Sequence, residues 1–435
     1  MGEIGVLPLS THPLLRRVVA DRRPDEMHFQ SELGARSTPL LRDHHVFQIP
    51  IFPAAAYLDV ALVAAEQLTG QRGTAITNAV FHDLLALSAE DARLLRVRVR
   101  RANRTTTRFD VESASASDAV PTWRRHADGV VEHEPLGSEG SFQSGVKSAS
   151  IAGPLAAELS GKEFYERADR GPYQWGETHR VVRSIRRDAE NVVYDLCMTE
   201  DSAAYDGGRR IHPTLLDGCL QVPAMEFLRG NNGDSVSVPS RIDRAAFGAA
   251  SPQRISVYWR HPEATREQAD ASTVNLFLFD ESGRHIASLE GIRFRPISRE
   301  VFLSAMAARR PEQSTRRVDV DDAASDRRAS STELVMRLES APASQRLSLL
   351  AAFIEQNVVE LLKLKRPTAA DLQRGFFSIG LDSLLAIELQ FRLQKALDFS
   401  LPPSKGLNFE TIEELSRYLL EDVLSLCEKA RVGAV

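Results

Sequence analysis

Three short stretches of this 435-residue chain hold side chains arranged for chemistry. The first, Asp43-His44-His45-Val46-Phe47-Gln48-Ile49-Pro50-Ile51-Phe52-Pro53, leads into an apolar helical segment. The second, His212-Pro213-Thr214-Leu215-Leu216-Asp217-Gly218-Cys219-Leu220-Gln221, sets a carboxyl and an amide one helical turn apart, on one helix face. The third, Gly380-Leu381-Asp382-Ser383-Leu384, is followed by Leu385, Ile387, Leu389, Leu393 and Leu397, which mostly fall on one helical stripe. A histidine with a pKa near neutrality serves as a general base. A carboxyl among Leu215, Leu216, Cys219 and Leu220 is costly to ionise, so Asp217 is expected to have a raised pKa and to serve as the acid. Asp382 and Ser383 stand at a helix start, where both are favoured caps and unpaired N–H groups favour an anion. The Ser383 hydroxyl therefore suits attachment of a phosphate. His45 is read as structural, and Cys219 as a small packed side chain rather than a nucleophile.

The elements that position these residues follow from periodicity. Strands are expected over Ala92–Val99, Thr107–Val111, Gly129–Glu134, Val192–Met198, Arg254–Trp259, Val274–Phe279 and Ile286–Leu289, with a hairpin turn at Asp280–Gly283. Two helices interrupt them, Pro53–Leu68 and Pro213–Leu228, each opening on a proline in its first turn. Each half thus offers one helix and several antiparallel strands, joined by the Gly/Ser-rich stretch Pro135–Ile151. Residues 299–340 read as a flexible linker, because Ala307–Thr332 has few large apolar side chains. Beyond it, Leu347–Leu364, the Ser383 helix and Thr411–Cys427 form a helical module, with Thr411 or an adjacent residue at the last helix's cap and Glu413-Glu414 in its first turn. Three units are expected: 1–298, the linker 299–340, and 341–430.

Bulk properties narrow the classes. Lys plus Arg minus Asp plus Glu is 54 − 59 = −5, without a strong basic block, which speaks against a nucleic-acid partner. The arginines of Arg93–Arg104 alternate with Leu95, Val97 and Val99, as in a strand with a solvated face. Cys197, Cys219 and Cys427 are widely spaced, without a zinc pattern, and fit a reducing compartment. No apolar run approaches a membrane span and no secretory signal opens the chain, so a cytoplasmic location is expected.

The helical module resembles an acyl carrier protein, with Ser383 at its 4′-phosphopantetheine attachment site. Residues from about 10 to 300 resemble the polyketide synthase dehydratase domain. That family carries His-x-x-x-Gly-x-x-x-x-Pro in its first half and Asp-x-x-x-Gln/His in its second, matched here by His44 with Pro53 and by Asp217 with Gln221. Further likeness lies in His12-Pro13-Leu14-Leu15, in Trp123 with His126 and Gly129, and in Val238-Pro239. The resemblance implies an α+β double hot-dog, two antiparallel sheets each wrapping a central helix, followed by a small all-α four-helix carrier bundle. It implies His44 as catalytic base, Asp217 as catalytic acid and Gln221 as a supporting residue. It also implies phosphopantetheine on Ser383 and loss of water from a carrier-bound β-hydroxyacyl thioester. Implied partners are the ketosynthase and ketoreductase of a synthase, a phosphopantetheinyl transferase and a second copy in a homodimer.

Three positions depart from the family. Gln48 replaces a glycine, and its side chain is expected to narrow the site or strain the turn. Where the family has Tyr-Gly-Pro after a Phe-Tyr helix, Phe164-Tyr165 is followed by Tyr173-Gln174-Trp175-Gly176-Glu177. Trp175 takes the tyrosine position without its hydroxyl, Glu177 the proline position, and Tyr173 is the alternative source of a hydroxyl. Altered domains of this kind shift double bonds, close oxygen rings or hydrolyse thioesters, so an isomerase or cyclase stands as the second reading and an inactive docking domain as the third.

Overall fold

A computed structural model of the chain describes residues 12–19, 23–87, 92–133, 157–187, 191–200, 211–228, 234–248, 252–260, 273–307, 333–362, 383–397 and 411–424. They form two compact units, Met1–Arg299 and Glu300–Val435.

Alternation builds the first unit. In Arg93–Arg101, Leu95, Val97 and Val99 are buried while the intervening arginines face outward. Among the described residues, thirteen strands pair antiparallel into one sheet. Its first-half strands run in the order Arg17–Val19, Glu26–Leu33, Arg93–Arg101, Thr106–Ser115, Arg124–His133 and Gly73–Phe81. The second half continues through Ser235–Phe247, His285–Ser298, Thr273–Phe279, Arg254–Arg260, Asn191–Cys197, Val182–Arg187 and Ala157–Ser160. The halves join where Gly73–Phe81 pairs with Ser235–Phe247, Ile242 opposite Ala79 and Ala245 opposite Ile76. All seven expected strands are present. The hairpin at 280–283 turns on Gly283, at φ 76°, with the Asp280 carboxylate accepting the Ser282 and Arg284 N–H groups.

Each half packs its strands around one helix, and the two helices touch each other. The first, Ala54–Thr69, ends at Gly70 in the left-handed conformation. Pro53 is its cap rather than a residue of its first turn, with ψ 145° still extended. The second, Pro213–Glu226, is buried on every side as far as Ala224. Pro223 lies inside it and leaves the Cys219 carbonyl without a helical donor. The Tyr194 hydroxyl fills that role, donating to the Cys219 carbonyl at 2.6 Å. Gly218 lets the neighbouring chain come close, since a Cβ there would meet Val181 at 2.4 Å. These are the two central helices of a double hot-dog.

The second unit is helical: Glu333–Ser340, Ala343–Leu362, Ser383–Leu397 and Ile412–Tyr418. Leu338, Leu350, Ile354, Val358, Leu389, Leu393 and Leu415 form its core. Thr411 caps the last helix by accepting the Glu414 N–H. The expected linker is corrected at both ends. Arg299–Ala307 is helical, and Glu333–Ser340 belongs to the bundle through Leu338. One described helix opens on Ser383; the side chains of Asp382 and Ser383, and Cys427, lie outside the described residues. Among the described residues no helix is long and apolar enough to cross a membrane, and no cluster of His, Cys, Asp or Glu is arranged for a metal.

Candidate active site

A three-stranded ribbon brings the two halves' motifs together. Tyr173–Trp175 pairs antiparallel with His44–Val46, which pairs in turn with Ile49–Pro50. Trp175 lies opposite His44, and Gln174 opposite His45. The turn between the two motif strands is Phe47-Gln48, with φ of 48° and 66°, the double left-handed conformation that favours glycine. Gln48 is exposed, and its backbone N–H donates to the Gln174 side chain at 3.0 Å. Of the two consequences expected of Gln48, the strained turn is the one observed.

The ribbon fixes the tautomer of His44. Its Nδ1–H donates to the Ile51 carbonyl at 2.8 Å, while the Ile51 N–H donates back to the His44 carbonyl. Nε2 is thereby left as the basic nitrogen, 3.7 Å from Asp217 Oδ1. Burial pushes His44 down to about 4 despite the neighbouring carboxylate. His44 keeps 13% of its side chain exposed against 6% for Asp217, so the histidine is the more accessible member.

Asp217 sits in the second central helix with its other oxygen fully engaged. Oδ2 lies 2.8 Å from His179 Nδ1 and accepts the Gln221 amide N–H at 2.9 Å. The Gln221 amide is itself held, donating to the His179 carbonyl at 3.0 Å, with its Oε1 2.9 Å from the Tyr165 hydroxyl. That hydroxyl accepts the Val182 N–H. His179 Nε2 points at the Leu40 carbonyl, 2.8 Å away. Asp43 anchors this turn by accepting both the Thr178 N–H and hydroxyl. Gly176 is needed beside it, because a Cβ would come within 2.7 Å of the Asp43 carboxyl.

The expectation of a raised Asp217 pKa is corrected. Burial alone would raise it, but the neighbouring His44 and His179 rings, with the hydrogen bonds from His179 and Gln221, hold it below the usual carboxylate value. Expected and observed roles differ elsewhere too. Tyr173 gives its hydroxyl to the Ser237 carbonyl at 2.5 Å and accepts the Ser237 N–H, so it stands in for no missing hydroxyl beside Asp217. Trp175 stacks on Tyr173 at 4.8 Å, and its buried indole nitrogen has no partner among the described residues. Glu177 is exposed. Sequence reasoning passed over His179, which lies just after the Trp175-Gly176-Glu177 segment it had singled out.

Three family models match the chain: polyketide synthase dehydratase domain over residues 12–114, polyketide synthase dehydratase N-terminal domain over 144–304, and phosphopantetheine attachment site over 352–419. The chain therefore carries a dehydratase domain of the polyketide synthase family, joined to a carrier domain that bears covalent 4′-phosphopantetheine. Polyketide synthase GfsE of Streptomyces halstedii is 27% identical over 295 residues, which are 66% of this chain and 7% of that protein. A mycocerosic acid synthase-like polyketide synthase of Mycolicibacterium smegmatis is 36% identical over 226 residues, 50% of this chain and 10% of that protein. The chain spans only these small parts of its relatives. Among solved structures, the dehydratase domain of the CurF module of curacin polyketide synthase superposes with a TM-score of 0.58 at 21% identity, covering 66% of this chain and 100% of that domain.

Proposed function

We propose that this chain removes water from a β-hydroxyacyl thioester, as the dehydratase step of a modular polyketide synthase. One observation carries the reading: a histidine whose basic Nε2 faces the free oxygen of a buried carboxylate at 3.7 Å, the two supplied by different halves of the fold. His44 Nε2 takes the α-hydrogen, and Asp217 Oδ1 receives the β-hydroxyl. Gln221 holds Asp217 from one helical turn away. The CurK dehydratase, which shares the fold, is inactive as a histidine-to-phenylalanine or an aspartate-to-asparagine mutant, and the same residue types meet here.

Ser383 is assigned to hold phosphopantetheine, which supplies a thiol that carries the acyl chain as a thioester. A helix that opens on this serine fits such a group, since its first N–H groups favour a phosphate. The remaining partners in this reading are a phosphopantetheinyl transferase, the ketosynthase and ketoreductase of the same synthase, and a second copy of the chain.

A second reading, double-bond isomerisation or ring closure, draws on Gln48 and Trp175, the positions where the site departs from the family pattern. One experiment separates them. The chain is loaded with phosphopantetheine, checked by intact mass against Ser383→Ala, and given β-hydroxyacyl thioester surrogates. Loss of one water supports dehydration; a product of unchanged mass and new retention time replaces it with the second reading.

A further inference from the structure

We propose that His179 is a buried imidazolium, the counter-ion that keeps Asp217 a carboxylate throughout the reaction. The inference rests on the reading of His44 and Asp217 given above and deepens it. Geometry carries it. A carbonyl oxygen only accepts hydrogen bonds, so Nε2, 2.8 Å from the Leu40 carbonyl, must bear a proton. Nδ1 lies 2.8 Å from Asp217 Oδ2, an oxygen that already accepts the Gln221 amide N–H at 2.9 Å. Oδ2 either accepts a second N–H, from His179 Nδ1, or would itself have to be protonated and donate to that nitrogen. The Gln221 amide already donating to Oδ2 and the Asp43 carboxylate held beside this turn favour the proton on the ring, so the second donor is His179 Nδ1–H. Both ring nitrogens donate, and the ring is charged.

The surroundings agree. His179 is wholly buried. Burial opposes its charge, yet Asp217, the two hydrogen bonds and Asp43 together raise its pKa. Asp43 is shared with Arg42 at 2.7 Å and with Thr178. His44, whose ring is centred 5.2 Å away, stays neutral through its own lowered pKa. His45 is likewise lowered, first by burial, and the Tyr165 hydroxyl near the His179 carbonyl is pushed well above its ordinary range by burial. His179 and Asp217 then form a buried cation–anion pair that offsets the cost of burying either alone, with the Asp43–Arg42 pair beside it.

The consequence concerns the proton that completes water. With Oδ2 engaged by His179 and Gln221, only Oδ1 is left for the substrate hydroxyl, and it accepts rather than donates. The Cα–H bond breaks toward His44 Nε2 as the double bond forms. The same Nε2–H is handed to the hydroxyl as the C–O bond breaks, so water leaves and His44 is neutral again. His179 touches none of these atoms; it is a positioning residue.

Nitrogen-15 NMR of the intact chain with labelled histidine tests this without any turnover. The ordinary histidine pKa is roughly 6.5. At about pH 8, one of the eleven histidines should still carry protons on both ring nitrogens. Asp217→Asn should convert that ring to a single proton. A wild-type spectrum with no doubly protonated ring overturns the proposal, whether or not the variant folds, and so does a doubly protonated ring unmoved by Asp217→Asn. His179→Gln, which keeps a donor but no charge, should lower turnover by roughly 10–100-fold, the scale for an orienting partner. Its remaining activity should fall as pH drops through neutrality, because the unpaired, buried Asp217 then takes up a proton. A loss equal at every pH would mean that His179 only fills space. If no thioester is dehydrated, the proposed function fails while the NMR result still decides the charge of His179.

Discussion

Each half of the double hot-dog buries an aspartate of its central helix against a histidine, and the two rings differ in the backbone group that meets their other nitrogen. In the first half, Asp59 Oδ2 lies 3.2 Å from His12 Nε2, and His12 Nδ1 accepts the Leu14 N–H at 3.0 Å. That ring needs one proton only. In the second half, Asp217 meets His179 Nδ1, and the other nitrogen faces the Leu40 carbonyl. An N–H in one case and a C=O in the other is enough to change the proton count of a buried imidazole. The second pair also has His44 beside its carboxylate. The contrast teaches that an acid–histidine pair becomes a reactive site through what surrounds it, not through its two members.

The contrast can be broken most sharply with matched substitutions. Asp217→Asn should lower dehydration by about 10²–10⁴-fold, the usual range for a group that moves or orients a proton. Asp59→Asn should leave turnover near wild type and lower unfolding free energy by about 1–3 kcal/mol, as a buried pair loses its charge-assisted bond. Equal losses of turnover would erase the distinction between the halves. Next in size is the pH profile. His44 must be neutral to accept the α-hydrogen, and burial holds it down at about 4. Activity should therefore persist below the ordinary histidine range of roughly 6.5 and fall as pH drops through about 4. An acidic limb near the ordinary value would show that His44 is not desolvated.

Smaller effects test the scaffold. Gly176→Ala forces a Cβ against Asp43 and should cost about 1–3 kcal/mol in denaturant unfolding. Gln48→Gly relieves a left-handed backbone and should gain about 0.5–1 kcal/mol net of the entropy glycine adds to the unfolded chain.

Much of the fold was legible because it rests on local pattern. Val97 and Val99 alternate with arginine, and the run from Pro213 is apolar on all sides, so strand and buried helix could be read directly. The spacing of Asp217 and Gln221 likewise placed both on one helix face, where they are bonded. His179 was not legible. Its partners are Leu40, 139 positions away, and Asp217, 38 positions away, and a lone histidine in a short turn has no periodic signal. Missing it also reversed the expected Asp217 shift, since counting apolar neighbours registers burial but not a cation arriving from another segment. Tyr173 misled for a similar reason: the backbone of Ser237, on a distant strand, takes its hydroxyl. The helices at 299–307 and 333–340 were hidden by the polar stretch between them.

The central claim is that His44 is the base acting on the α-carbon of a thioester whose hydroxyl is held by Asp217. Exchange of the α-hydrogen in deuterated water, followed by mass on a carrier-bound β-hydroxyacyl surrogate, tests it most directly. Exchange should occur in the wild type, persist in Asp217→Asn while water loss falls by about 10²–10⁴-fold, and vanish in His44→Ala. Undiminished exchange in His44→Ala would contradict the account.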